Sequence, residues 1–275
     1  MGLLDRGVQI KTPEQIEAMR RAGLVVGETL EVLRAACRPG ISTAELDAIA
    51  EDSIRSKGAV PSFKGYYDFP ASICASVDEV VVHGIPGERT LAAGDIISID
   101  CGAIVDGWHG DSAITVAIGE VPAGVSELMR VTEESMWRGI AAARLGGRVT
   151  DISHAVETYV RSQPDGERYG IVEDYVGHGI GSEMHQKPDV PNFGKPGRGA
   201  KLVRGMALAV EPMITLGSQE TDVLDDDWTV ITRDGSWAAH FEHTFTLTPD
   251  GLWVLTALDG GEEMLGRLGV PFGGH

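Results

Sequence analysis

GDIISIDCGAIVDGWHGDSAITV, residues 94–116, is the stretch whose reading decides the fold. At its centre Asp106-Gly107 stands between two apolar, alternating runs, the strongest short-range signal for a two-residue β-hairpin. With those residues in the turn, Val105 faces Trp108 and Asp100 faces Ala113. Asp111 becomes the diagonal neighbour of Asp100 on the same face, about 7–8 Å away backbone to backbone. A three-residue loop would turn one aspartate to the other face. The hairpin therefore predicts two converging carboxylates on a surface otherwise lined by Ile96, Ser98, Ile114 and Val116. Like charges on a half-buried face repel and are costly to desolvate, so a cation is expected between them. Two solvated edge aspartates are the alternative from this stretch alone.

The surrounding chain has 275 residues, ample for a real core. Its 43% apolar and 23% charged residues are ordinary for a soluble globular protein. A net charge of −18 argues against a nucleic-acid groove or an anionic membrane surface as the main partner. Cys37, Cys74 and Cys101 form an odd, sparse set without CxxC, which reads as cytoplasmic rather than disulfide-stapled. The N-terminal MGLLDRG carries Asp5 and Arg6 and no apolar core, so no signal peptide is expected. Arg6 occupies the Ser/Thr position of a myristoylation signal, which excludes that modification too. No apolar run approaches a membrane span.

Thr12-Pro13-Glu14-Gln15 and Ser42-Thr43-Ala44-Glu45 are capping boxes, each opening an amphipathic helix. Residues 62–70 form an aromatic loop with Phe63, Tyr66, Tyr67 and Phe69. Residues 73–83 read as one strand ending at His83, followed by the central hairpin. Two further helices are expected over 125–145 and 151–162, then a short strand, 175–181, entering the glycine-rich turn VGHGIG. Residues 194–205 read as a basic loop, and 206–214 and 238–248 as strands. The order is helix, helix, strand, hairpin, twice. Gly40-Ile-Ser-Thr43 is echoed by Gly147-Arg-Val-Thr150, and Asp111-Ser-Ala-Ile-Thr-Val by Glu242-His-Thr-Phe-Thr-Leu. Gly94 and Gly205 each precede an acid, Asp100 and Glu211, by six residues. Together these matches predict an internal duplication within a single catalytic domain spanning 1–275, with halves of roughly 12–120 and 121–255.

The duplication places Asp100, Asp111, Glu211 and Glu242 at equivalent positions on two facing ribbons. Four negative charges in one cavity require compensation, and two divalent ions balance them. Carboxylates with a single imidazole suit Co, Mn, Fe or Zn rather than a structural tetrahedral zinc. Among eight histidines, His178 is favoured as the nitrogen ligand because it sits between glycines, where backbone can approach a metal. His109 and His240, each two residues before an acid, could compete. These two, with His154, His243 and His275, read better as satisfied structural histidines. His83 and His185 lie beside Gly or Pro turns and suit supporting roles.

VVHGIP (81–86), GDIISIDCG (94–102), WHGD (108–111), GHGIG (177–181), MHQKP (184–188), AVEPM (209–213), DDWTV (226–230) and FEHTF (241–245) now stand in order. With these motifs the chain resembles the type I methionine aminopeptidases, from about Thr12 to Trp253. The resemblance implies an α+β pita-bread fold, with two pseudo-twofold halves, a curved antiparallel sheet inside and helices outside. It implies that Asp100, Asp111, His178, Glu211 and Glu242 hold the metals, with Asp111 and Glu242 shared. His83 and His185 would contact the substrate around the scissile peptide, and Tyr66, Phe69, Cys74 and Trp228 would line the methionine pocket. Asp78, Val82, Met184, Gln186 and Phe63 depart from the common family pattern, and bear on the pocket's shape rather than on the ligands. Only 25 residues separate His185 from Glu211, too few for the insertion of the type II class.

The activity implied is removal of initiator methionine ahead of a small, uncharged second residue. A metal-activated water would attack the first carbonyl, Glu211 would take its proton, His185 would stabilise the oxyanion and His83 would engage the leaving nitrogen. Methionyl peptides and nascent chains are the expected substrates. Transient contact with the ribosome, no specific nucleic acid, no membrane and a monomeric, cytoplasmic state complete the expectation. An Xaa-Pro peptidase on the same fold, a non-catalytic binding protein and a divalent-ion store are the rivals. The first usually carries a separate N-terminal domain, the second predicts lost ligands, and the third leaves the aromatic loop unexplained.

Overall fold

The computed structural model describes residues 7–275; the segment carrying the signal-peptide and myristoylation readings, apart from Gly7, lies outside them. In chain order come α1 (Pro13–Ala36), α2 (Thr43–Ser56), β1 (Val60–Pro61), β2 (Ile73–Val77), β3 (Val80–Val82), β4 (Ile96–Val105) and β5 (Trp108–Ala117). Next are α3 (Ala123–Ala142), α4 (Val149–Arg161), β6 (Gly170–Ile171), β7 (Gly177–Gly179) and β8 (Gln186–Val190). Then follow β9 (Ala207–Val210), β10 (Met213–Thr215), β11 (Thr221–Val223), β12 (Val230–Thr232) and β13 (Ala238–His240). The last elements are β14 (Glu242–Leu247), β15 (Leu252–Val254) and α5 (Glu262–Arg267).

Both capping boxes form. Gln15 N donates to Thr12 Oγ1 at 3.3 Å and Thr12 N to Gln15 Oε1 at 2.9 Å, and Ser42 and Glu45 do the same for α2. The Asp106-Gly107 turn closes the hairpin with φ of 52° and 79°, the left-handed pair that a two-residue turn of this hand demands. Val105 pairs with Trp108, Asp100 with Ala113 and Gly102 with Asp111, as the turn dictates. One part of that reading needs correction. Ile114 and Val116 lie opposite Ile99 and Ile97 and pack into the main core, so they belong to the other face of the ribbon. Period-two alternation from Asp111 puts Ala113 and Thr115 beside the carboxylates instead.

A nine-stranded sheet runs β1-β4-β5-β14-β9-β7-β8, with β2 also on β4 and β15 also on β14. The four acids therefore lie on or at the ends of neighbouring strands of one sheet, not on two facing ribbons. The seam is the β5–β14 pairing, where Glu242 faces Ala113 and His243 faces Ser112. Side chains reinforce it: Thr244 Oγ1 donates to Asp111 O at 2.8 Å, and Ser112 Oγ donates to Glu242 O. Helices cover the other face, where the core packs Val26, Leu33, Ile97, Ile99, Trp137, Ile140 and Phe245. Helix α1 comes so close to the chain after β15 that a Cβ on Gly23 would lie 2.1 Å from Leu255 O.

Three expected strands are interrupted. Residues 73–83 split at Asp78, which turns with φ of 54° while its Oδ1 accepts Ile96 N at 3.0 Å. As a result β3 leaves the main sheet and pairs with β12. Residues 206–214 break at Glu211-Pro212, where proline supplies no N–H to a ladder. Residues 238–248 break at Phe241, because β13 pairs with β10 whereas β14 pairs with β5 and β9.

Candidate metal centre and active site

Sheet register builds the site. Cys74, Asp100, Ala113 and Glu242 form one row across β2, β4, β5 and β14, so their side chains share a face. Asp111 stands two residues before Ala113 on that same face. Glu211 follows β9 directly, and His178 lies in β7, the next strand over. Five neighbouring strands, β4, β5, β14, β9 and β7, thus contribute one candidate ligand each. Ligand atoms of Asp111, His178 and Glu242 all lie within 4.8 Å of one another.

His178 is oriented for metal binding. Its Nδ1 lies 2.9 Å from Gly179 O, a contact that only an N–H can make favourably, so Nε2 keeps its lone pair. That nitrogen is 3.4 Å from Glu211 Oε1. Oδ1 of Asp100, Oδ1 of Asp111 and Oε1 of Glu242 are buried without a hydrogen-bond partner among the described residues. Burial is the main cause that pushes all four carboxyls above their ordinary range. Neighbouring carboxylate charges add to it at Asp111, Glu211 and Glu242. His178 is pushed down to about 3, again by burial, so its imidazole is neutral and available. Orphaned oxygens, mutually repelling acids and an aligned neutral imidazole fit divalent cations by charge and by donor type.

A cavity of about 310 Å³ opens over these groups. Every residue expected at the site lines it: Tyr66, Phe69, Cys74, His83, Asp100, Asp111, His178, His185, Glu211, Trp228 and Glu242. Phe63 and Met184 line it as well, with Tyr67 and Val82. Its apolar wall is the cluster of Phe63, Phe69, Ala71, Cys74 and Met184, against which Tyr66, Ile85 and Trp228 pack. Phe69 and Trp228 meet edge-on at 5.0 Å between centroids. His83 sits just past β3 with a left-handed φ of 59°, its ring between Tyr175 and Trp228. Such backbone persists only where its surroundings fix it. The His185 ring lies 4.4 Å from the His178 ring, tilted 60° to it, and its Nδ1 is 2.8 Å from Tyr66 Oη.

The histidines set aside as structural divide. His243 meets Thr256 Oγ1 at 2.8 Å on the helix-covered face, His109 meets Ser62 Oγ at 3.0 Å, and His275 meets Glu17 at 2.9 Å. His154 reaches only Thr158, on its own helix. His240 differs: it is 1% exposed, its Nε2 has no hydrogen-bond partner, and that atom lies 3.9 Å from Glu211 Oε2. The signal available in the sequence was its place two residues before Glu242, which proved too weak to single it out.

The profile of metallopeptidase family M24 matches residues 17–249. A methionine aminopeptidase of Clostridium acetobutylicum is 54% identical over 248 residues, covering 90% of this chain and 98% of that one. Among solved structures, the methionine aminopeptidase of Thermotoga maritima superposes with a TM-score of 0.88 at 39% identity, over 91% and 99% of the two chains. A prolidase of Pyrococcus furiosus shares the fold at 21% identity and a TM-score of 0.73, but this chain covers only 65% of it. The curved sheet under its helices is accordingly the pita-bread fold, and the chain belongs to metallopeptidase family M24, among its bacterial type I-like methionine aminopeptidases.

Proposed function

We propose that the chain hydrolyses the first peptide bond of methionyl peptides and nascent proteins, favouring a small, uncharged second residue. The observation that carries this reading is the row of ligand-type side chains, one from each of five neighbouring strands, whose buried oxygens lack partners beneath an apolar cavity. Asp100, Asp111, His178, Glu211 and Glu242 would hold two divalent ions (Co, Mn, Fe or Zn), with Asp111 and Glu242 serving both. When bound, such ions supply Lewis-acid polarisation and lower the pKa of water.

The chain's own groups do the rest. Glu211 takes the proton of the attacking water. Tyr66 Oη and His185 Nδ1 lie 2.8 Å apart; with Tyr66 as the donor, Nε2–H of His185 is left to meet the carbonyl oxygen as charge develops there. His83 holds the leaving nitrogen. Tyr66, Phe69, Cys74 and Trp228 enclose the methionine side chain, and Phe63 and Met184 narrow the same slot. Acting as a single domain with pseudo-repeat halves at roughly 12–120 and 121–255, the enzyme would work as a cytoplasmic monomer in passing contact with the ribosome. No helix among the described residues is long and apolar enough to cross a membrane.

The test is reconstitution of chelated protein with Co, Mn, Fe or Zn, followed by initial rates on Met-Ala-Ser, Leu-Ala-Ser, Lys-Ala-Ser and Met-Lys-Ser. A thioether fits an aromatic slot flexibly and gains sulfur–aromatic contacts. Branched, shorter leucine should lose roughly 10–200-fold in kcat/KM, and an unpaired ammonium should be refused. Equal rates on Met-Ala-Ser and Leu-Ala-Ser, or full activity in protein shown metal-free by elemental analysis, would overturn the reading.

A further inference from the structure

The Glu211 carboxylate is bracketed by two imidazoles. His178 Nε2 approaches Oε1 at 3.4 Å, and His240 Nε2 approaches Oε2 at 3.9 Å. Only the first nitrogen belongs to the cluster whose ligand atoms converge. His240 is nonetheless fixed in place with unusual thoroughness. Its backbone N–H is shared between Ser98 Oγ at 3.2 Å and Thr115 Oγ1 at 3.0 Å, and its carbonyl accepts from Thr115 at 2.8 Å. Pairing of β13 with β10 sets it opposite Met213, two residues beyond Glu211. The ring is 1% exposed and Nε2 has no partner among the described residues. A buried polar atom left unpaired is costly, and structures rarely retain one without a use.

We propose that His240 is a positioning residue of the metal centre, its Nε2–H donating a hydrogen bond to Oε2 of Glu211 and so fixing how that carboxylate presents Oε1. The inference rests on Glu211 being a metal ligand. A closure of about 1 Å brings the pair to hydrogen-bond distance, and rotation of the carboxylate about its terminal torsion, which has only a broad preference, supplies movement of that size. The oxygen that His240 engages is the one facing away from His178, so the bond restrains the carboxylate without competing for the cation. Groups of this kind orient ligands, and their loss costs roughly 10–100-fold in metal affinity or activity.

The test compares His240→Gln, which keeps an N–H donor at similar reach, with His240→Leu, which fills the space without a polar atom. Zinc affinity is measured by competition with a chromophoric chelator, hydrolysis of Met-Ala-Ser by initial rates, and folding by circular dichroism. His240→Leu should bind the weaker-held ion about 10–100-fold less tightly and lose kcat with KM little changed, while His240→Gln recovers both to within a few-fold. In zinc-loaded wild-type protein, the ring 15N–1H spectrum should show a proton on His240 Nε2 that exchanges slowly. That reading does not depend on either variant folding. Wild-type affinity in a folded His240→Leu protein, an unprotonated Nε2, or two coordinated imidazole nitrogens in the Mn(II) spin-echo spectrum would each overturn the proposal. Glu211→Gln separates the two levels. Unchanged metal binding in that variant overturns the ligand reading of Glu211 and this inference with it. Lost binding there with unchanged binding in His240→Leu overturns this inference alone.

Discussion

The rings of His178 and His185 lie only 4.4 Å apart, yet the two residues should fail in different ways. His178 presents a lone pair at Nε2 because Nδ1 is committed to Gly179 O, so His178→Ala should weaken metal binding measured by chelator competition. His185 has its Nδ1 on Tyr66, so His185→Ala should keep the metal and lose something like 10²-fold or more in kcat, the worth of one oxyanion donor. Equally poor metal binding in both variants would contradict these assignments. The acids and His178 were legible in the sequence because their chemistry comes with spacing: an Asp-Gly turn, a repeated acid, a histidine between glycines. His240 was not, because what singles it out is the missing partner at Nε2. The contacts that hold its backbone in that place come from β10, Ser98 and Thr115, which lie elsewhere in the chain.

Element by element, the hairpin β4–β5 followed its turn residues, since two left-handed positions at Asp106 and Gly107 leave one register open. Helix α1 likewise followed its cap. What it packs against is a separate matter, decided by Gly23: the helix touches the chain after β15 through that glycine, where a Cβ would lie 2.1 Å from Leu255 O and where Gly110 also approaches. Backbone cannot give way as a side chain can, so Gly23→Ala should destabilise the protein by about 1–3 kcal/mol despite alanine's better helix propensity. Denaturant melts of the metal-loaded variant check this, and a stabilised variant would refute it. Strand continuity was not legible in the sequence where a strand changes sheets. An apolar run such as 73–83 or 238–248 reads as continuous, and nothing local marks the residue at which its hydrogen-bond partner changes.

For the molecule as a whole, the four buried acids couple stability to pH. Their folded pKa values are raised, so the metal-free folded chain retains protons that the unfolded chain has released above about pH 4. Stability from these groups is therefore present at low pH and falls as pH rises from about 4 through the raised folded values. Cations take the place of those protons in the loaded protein. Burial pushes His83, His109 and His243 down to about 4, so in the metal-free folded chain these imidazoles are neutral above pH 5. The difference in melting temperature between loaded and metal-free protein should widen steadily from pH 5 to pH 7.5; a constant or narrowing gap would contradict the linkage. The seam between β5 and β14 adds a constraint in time. Ser112 Oγ donates to Glu242 O across 130 residues of chain, and the donor set is incomplete until that partner exists. At roughly 5–20 residues per second, synthesis places on the order of 7 to 26 s between the appearance of Asp111 and that of Glu242. Throughout that interval the first hairpin holds two aspartates and no completed centre, so a nascent copy of this enzyme is inert towards other nascent chains until its own Glu242 has been made.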